Sequence, residues 1–406
     1  MKLKLETGFY FLIIILVVLI ALSVVLFFSL QTDEVAAVLE SNQPLNILFI
    51  LEDDKQPLFT DIVLYYPPNE RGALFDIPSN VGLISPYLDR MDRIDAVYKE
   101  KGLNAYREEI EKLVGINSKK DDNHIPFTIE MNLKQFSALT DLLGGLKMFI
   151  LSPVDVPADE NNKERYLLPS GTVLLDGAKI VEFVSYRIPE ETEEAVQNRM
   201  QNILVAFLYA LREKRDFILH KDVFPLFYKN MTTNMSKETA ATLFSYISRI
   251  DSEKLVPLTV AGKSQMVDGK TLLFPDEDGG IIREVFRTTL SQIVSTDGVA
   301  GERTYVLEVK NGTNINGLAR NTSNIFKSFA YDVLAPTDAD RKDYQETIVI
   351  DHIGNPRVAK SVADIINCSN IITEEISGDE STLYEDNALV DFTIILGADF
   401  DGRYVR

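Results

Sequence analysis

The hydrophobic pattern divides the chain into one long apolar run and two stretches of alternating strands and helices. From Thr7 to Leu30 there are 24 residues without a charge. A bilayer is crossed by about 20 apolar residues at a rise of about 1.5 Å each, so this run predicts a transmembrane helix. It is longer than the roughly 7–15 residues of a signal-peptide core, and no small-x-small cleavage site follows it directly, which predicts an uncleaved anchor. Lys2 and Lys4 precede it and Asp33 and Glu34 follow it. The positive-inside rule then keeps the N-terminus cytoplasmic and puts the bulk of this single-pass protein on the extracytoplasmic or periplasmic side of the cell membrane. A polar stalk, 33–43, leads on from the 1–32 tip and anchor.

The continuous run Asn46–Leu51 predicts a buried central strand. Asp61–Tyr66 and Ala73–Ile77 follow as strands, parted by a Pro-Pro-Asn turn signal at 67–69. Leu103, Tyr106, Ile110 and Leu113 keep helical spacing up to Gly115. Phe127–Met131 reads as a strand. Leu133, Phe136, Leu139, Leu142 and Leu143 form one helical face, stopped by Gly144-Gly145. A strand at Met148–Leu151 precedes helices at Leu175–Tyr186 and Glu193–Lys214. This order predicts an α/β fold, a mixed β-sheet flanked by helices, over 44–295. Helices at Lys237–Ile250 and Ile281–Ile293 finish it, and 296–303 has the composition of a linker. The strands Thr304–Val309, Tyr331–Leu334, Glu346–Asp351 and Val390–Leu396, with helices near Leu318–Phe329 and Pro356–Ile366, predict a small C-terminal α/β domain over 304–406.

Composition narrows the function. Of 406 residues, 46% are hydrophobic and 25% charged, as in globular proteins. With 61 acidic against 41 basic residues the net charge is -20, which makes nucleic acid an unsuitable partner because a phosphate backbone rewards clustered Lys and Arg. The lone cysteine, Cys368, excludes an intramolecular disulfide framework. Three histidines, His124, His220 and His352, lack the spacing of a zinc site.

The collinear order of several short segments carries a resemblance. These are Asn46–Lys55 (NILFILEDDK), Thr60-Asp61-Ile62-Val63-Leu64, Arg93–Tyr98, Asp141–Leu146 and Leu175–Lys179, followed by Val309–Thr313, Gly317-Leu318-Ala319 and Ile394–Phe400. Together they resemble the LytR-CpsA-Psr family of bacterial envelope proteins over about Asn46–Ile293, and the C-terminal domain often attached to that family over Thr304–Phe400. The resemblance implies cell-wall biogenesis: a phosphotransferase that moves glycopolymers from a polyprenyl-pyrophosphate carrier to peptidoglycan. Its partners would be the membrane, a polyprenyl-linked glycan or lipid carrier, and peptidoglycan or other envelope proteins. The lipid would need an apolar tunnel, which a sheet covered by helices can provide.

By the same resemblance, Asp53 and Asp61 hold Mg²⁺, Lys55, Arg93, Arg187 and Arg199 contact the pyrophosphate, and Asp61 and Arg187 are catalytic. Carboxylates with Mg²⁺ and bidentate arginines suit a diphosphate. The sequence departs from the family at Ser79, Ser185 and Val196, where it has arginine, at Asn80, where it has aspartate, and at Met200, where it has glutamine. These departures leave a second reading open, a catalytically degenerate binding or scaffold protein with the same fold. The residues themselves also admit plainer roles: Asp53 and Asp61 as loop and strand-end carboxylates, Arg187 and Arg199 as exposed helix cations, Arg93 as a partner of Asp92 or Asp95, and Cys368 as a buried small residue.

Overall fold

The computed structural model describes residues 14–18, 34–116, 125–150, 153–157, 165–188, 191–294, 305–329, 331–373 and 390–400. The chain forms two compact units, Met1–Gln43 and Pro44–Arg406. In the first, residues 14–18 and Glu34–Glu40 are helical. The rest of the Thr7–Leu30 run and the proposed linker 296–303 lie outside the described residues, and among the described residues no helix is long and apolar enough to cross a membrane.

The second unit is built on a six-stranded mixed sheet: β1 (Leu45–Asp53), β2 (Gln56–Tyr66), β3 (Arg71–Asp76), β4 (Phe127–Asn132), β5 (Thr232–Thr233) and β6 (Leu255–Thr259). The order across the sheet is β5-β4-β1-β2-β3-β6. Strands β1, β2 and β3 form an antiparallel meander, while β4 joins β1 and β6 joins β3 in parallel. The first turn of the meander is two residues, Asp54 and Lys55, both left-handed at φ 47° and 61°, as a tight hairpin requires. The sequence pattern starts the second strand at Asp61; the structure starts it at Gln56, because paired backbone groups extend the strand through the polar and proline positions that hide it from periodicity.

Side chains alternate across the sheet, so each face collects its own helices. On one face Leu48, Ile50, Ile62, Leu64 and Phe75 pack with the helices α1 (Ile94–Lys101), α2 (Leu103–Leu113) and, further along the chain, Gly280–Val294; Phe75 meets Phe286 edge to face at 5.7 Å. The other face carries α3 (Leu133–Leu143), α4 (Gly177–Ser185), α5 (Glu193–Glu213), α6 (Phe224–Lys229) and α7 (Lys237–Ile247). Here the rings stack in sequence: Phe207 lies 5.8 Å from Phe49, 5.4 Å from Phe136 and 6.4 Å from Phe227, which in turn meets Phe244 at 5.0 Å.

Local chemistry fixes the helix starts near the site. Asp176 caps α4 by accepting from the Lys179 backbone N–H at 2.8 Å, and Thr192 caps α5. Gly177 donates its N–H to Asp141 of α3 at 2.7 Å, and a Cβ there would stand 2.4 Å from the Ser137 carbonyl oxygen. Only glycine lets the two helices approach so closely.

The C-terminal part is a second sheet, with β7 (Val306–Asn311), β8 (Asp332–Val333), β9 (Thr337–Asp338), β10 (Ile348–Asp351), β11 (Ile371–Thr373) and β12 (Phe392–Leu396) in the order β8-β7-β12-β10-β11, β9 also pairing with β7. Its apolar residues, Leu307, Val309, Phe326 and Val362 among them, join the same core cluster as Val285 and Phe286. Cys368 is half-buried, its thiol donating to the Thr347 carbonyl.

Phe207→Ala should lower unfolding stability by about 3–5 kcal/mol, the usual cost of emptying an aromatic site in a packed core. Denaturant midpoints measure this; a loss below about 1 kcal/mol would mean that the ring layer collapses freely.

Candidate functional site

Strand register decides which acidic groups meet. Asp61 of β2 lies opposite Phe49 on β1 and opposite Asp76 on β3. Asp53 instead pairs with Gln56 at the hairpin end, four positions further along β1 than Phe49, or about 13 Å at about 3.3 Å per residue. The two carboxylates that the resemblance assigns to a metal are therefore not brought together. Asp53 and Lys55 stay exposed at the tip of the hairpin, where the Lys55 backbone N–H donates to Glu52 at 2.7 Å.

Asp61 is fully buried, and neither carboxylate oxygen has a hydrogen-bond partner of good geometry. The Gln201 amide of α5 comes close enough to draw the pKa down slightly, but its own buried nitrogen is also unpartnered. Burial first, and the neighbouring Asp76 charge second, push the Asp61 carboxyl well above the usual carboxylate range. Asp76 is only 6% exposed and accepts from the Thr259 hydroxyl at 3.0 Å. Burial raises its pKa to about 7.

Asp76 opens onto a cavity of about 350 Å³. Gln56, Ser79, Arg93, Arg187, Glu191 and Glu193 contribute to its wall, with Phe59, Val196 and Met200 as apolar lining. Two of the predicted phosphate contacts, Arg93 and Arg187, thus reach the same space as Asp76. Arg93 is tied down there: its Nη2 donates to Asp95 at 2.7 Å and to Ser79 at 3.0 Å. Ser79, where the family has arginine, serves as an acceptor for an arginine from another segment.

Arg199 does a different job from the one expected. It is 8% exposed, and both Nε and Nη2 donate to Glu191, at 3.0 and 2.9 Å. Nη1 donates to the Phe183 carbonyl at 2.6 Å, and the guanidinium sits 3.9 Å from the centroid of the Tyr186 ring. Arg187 uses Nη1 on the carbonyls of Val184 and Tyr186, at 2.8 and 2.7 Å. Helix α4 ends at these carbonyls, which have no intrahelical donors, and the two arginines satisfy them. Arg187 also lines the cavity; partial burial, then the like charge of Arg199, lowers its pKa.

Asp76, Glu191 and Glu193 were missed by the sequence reading. Asp76 had a signal, since it ends a strand that must pair with Asp61's strand and two-residue alternation puts both on one face. Glu191 and Glu193 had none: Glu193 receives the Asn80 amide across 113 positions of sequence.

The sequence profile of the LytR_cpsA_psr family matches residues 31–280, and that of the LytR cell envelope-related transcriptional attenuator domain matches 304–400. The chain belongs to the LytR_cpsA_psr family. Among solved structures, a Streptococcus agalactiae protein is similar at TM-score 0.52 and 16% identity, covering 63% of this chain and 90% of that one. A protein described as a transcriptional regulator from Enterococcus faecalis is similar at 0.51 and 15%, covering 62% and 89%. Bacillus subtilis TagT, bound to LI-WTA, is similar at 0.50 and 16%, covering 62% and 92%. At these identities the likeness shows a common LytR_cpsA_psr fold. No curated protein matches in sequence.

Two measurements check the electrostatics of this LytR_cpsA_psr site. Because the fold raises the pKa of Asp76, its neutral form contributes stability that is fully present below about pH 4, the unfolded carboxyl value, and is lost as pH rises through about 7. With a chelator present, the loss well above pH 7 should be on the order of 4 kcal/mol, and Asp61→Asn should flatten the slope. A denaturation midpoint that rises over this range would contradict the assignment. Glu191→Gln should cost roughly 3–5 kcal/mol, as expected for stripping one partner from a buried ion pair; a midpoint unchanged from wild type would show that the carbonyls alone hold Arg199.

Proposed function

We propose that this chain works in cell-envelope biogenesis at the extracytoplasmic face of the membrane, held by its 7–30 segment, and that it transfers a phosphoglycan from a polyprenyl-pyrophosphate carrier to an envelope acceptor. In that reaction the acceptor hydroxyl attacks the glycan-bearing phosphorus, the phosphoanhydride bond breaks, a phosphodiester forms, and polyprenyl phosphate leaves with the hydroxyl proton passing to it or to water. Family membership over 31–280 supports the class of reaction. The observation that carries it to this site is the convergence of Asp76, backed by Asp61, and Arg187 on one cavity.

Orphaned, buried carboxylate oxygens fit the divalent cation that such chemistry uses, and the cation supplies charge neutralisation for the diphosphate when bound. The side chains of this site would divide the remaining work. Arg187, which lines the cavity, holds one phosphoryl group through its guanidinium. Phe59, Val196 and Met200 give the apolar side on which the first isoprene units lie. Arg93, fixed by Asp95 and Ser79, keeps the cavity wall in place.

A second reading has its own observation. Arg199, a phosphate contact by the family pattern, is fully engaged with Glu191 and backbone carbonyls, so the fold would serve as a non-catalytic binding or scaffold protein of the envelope. Native mass spectrometry of the full chain, purified from membranes in mild detergent, separates the two. Retained polyprenyl pyrophosphate, reduced about tenfold or more in Arg187→Ala and converted to polyprenyl phosphate when an acceptor is added, supports transfer; retention without conversion supports a binding protein. A folded protein that stays lipid-free with added carrier supports the scaffold.

Restoring arginine at Ser79→Arg should tighten carrier binding by about tenfold, near the low end of a hydrogen bond to a charged group. No gain, measured by carrier titration, would mean that Arg93 has taken over that space.

A further inference from the structure

Asp61 presents a problem that the family pattern does not resolve. Its two carboxylate oxygens are buried with no partner, and the register sets another buried acid, Asp76, directly opposite on the same face of the sheet. Cross-strand neighbours have Cβ atoms about 4.5–5.5 Å apart. Leaving a carboxylate in that setting without compensation costs several kcal/mol on the order of its desolvation. Among the described residues no arginine of the cavity wall donates to either carboxylate. Arg93 is spent on Asp95 and Ser79, Arg199 on Glu191, and Arg187 turns its Nη1 to the carbonyls that end α4.

We propose that Asp76 acts with Asp61 as the carboxylate pair that holds a divalent cation, so that the second acidic ligand comes from the end of β3 and not from the hairpin tip at Asp53. The pair offers oxygen alone, and the Thr259 hydroxyl beside Asp76 adds a further oxygen. That donor set suits Mg²⁺ or Mn²⁺ and not a thiolate- or imidazole-seeking metal. Among the described residues no group of three or more His, Cys, Asp or Glu side chains is gathered for a metal. A pair of carboxylates is the number that commonly holds Mg²⁺ in phosphate chemistry, with water and ligand phosphate completing the shell. By the alignment of residues 76–80 with the family's Ser-Ile-Pro-Arg-Asp segment, Asp76 stands where the family has serine, so this ligand belongs to this chain. The inference rests on the transferase reading for the cation's purpose, and on register and burial for its place.

The test is a Mn²⁺ titration of the full chain in mild detergent, near neutral pH and physiological salt, with no carrier added, following the free-ion EPR signal. Wild type should remove one Mn²⁺ per chain saturably, with Mg²⁺ competing. Asp61→Asn and Asp76→Asn should each weaken binding by about tenfold or more, while Asp53→Asn leaves it unchanged. Circular dichroism checks the fold, and Asp76→Ser is the second variant if Asp76→Asn does not fold. No saturable Mn²⁺ uptake by wild type, or an Asp53→Asn loss equal to that of Asp76→Asn, overturns the proposal. Carrier retention without Mn²⁺ uptake would remove the cation pair and leave the transferase reading; Mn²⁺ uptake without any carrier retention would do the reverse.

Discussion

The two-residue turn at Asp54-Lys55 and the bulge just after it, where Leu58 has no partner on β1, together set the register of the β1–β2 hairpin, and the site follows from that register. The turn alone would set Asp61 opposite Leu48, on the other face; the extra residue of the bulge moves it opposite Phe49, deep in the sheet. A carboxylate is thereby buried against an aromatic layer. The next turn of the meander then sets Asp76 beside it. Two acids that would repel one another in the open are held together by backbone pairing, and the pKa shifts are the measure of that constraint.

The arginines show the same economy of position from the other side. Helix α4 ends where the cavity begins, so its terminal carbonyls need donors. Arg187 and Arg199 supply them, and Arg199 is further neutralised by Glu191. A guanidinium that braces a helix end in this way is less available to a ligand, which explains how the chain keeps family-like residues at 187 and 199 while using at least one of them structurally. The Asn80–Glu193 and Arg93–Ser79 contacts knit the family's substituted positions into the wall of the cavity.

Much of the architecture was legible in the sequence. A continuous apolar run marked β1, which is buried on both faces, and 3.6-residue spacing marked α3 and α5, each of which buries one apolar face; Gly144 ends α3 in the left-handed conformation that its position implied. The collinear motifs were enough for the family. Less legible were Gln56–Phe59, whose strand character comes from pairing and not from pattern, and β6, a short parallel edge whose partner lies some 180 residues earlier.

The sequence by itself determined the class of elements, the family, and which residue types are present to do chemistry, because these depend on local spacing and on side-chain identity. Tertiary structure alone decided which of them meet. Asp53 and Asp61 are eight positions apart and end up on different parts of the sheet; Asp61 and Asp76 are fifteen apart and face each other. Arg199 is claimed by Glu191 because α4 and α5 close on one another. The reason is physical: a buried charge is defined by what surrounds it in low dielectric, and those surroundings are assembled from segments that no local pattern connects.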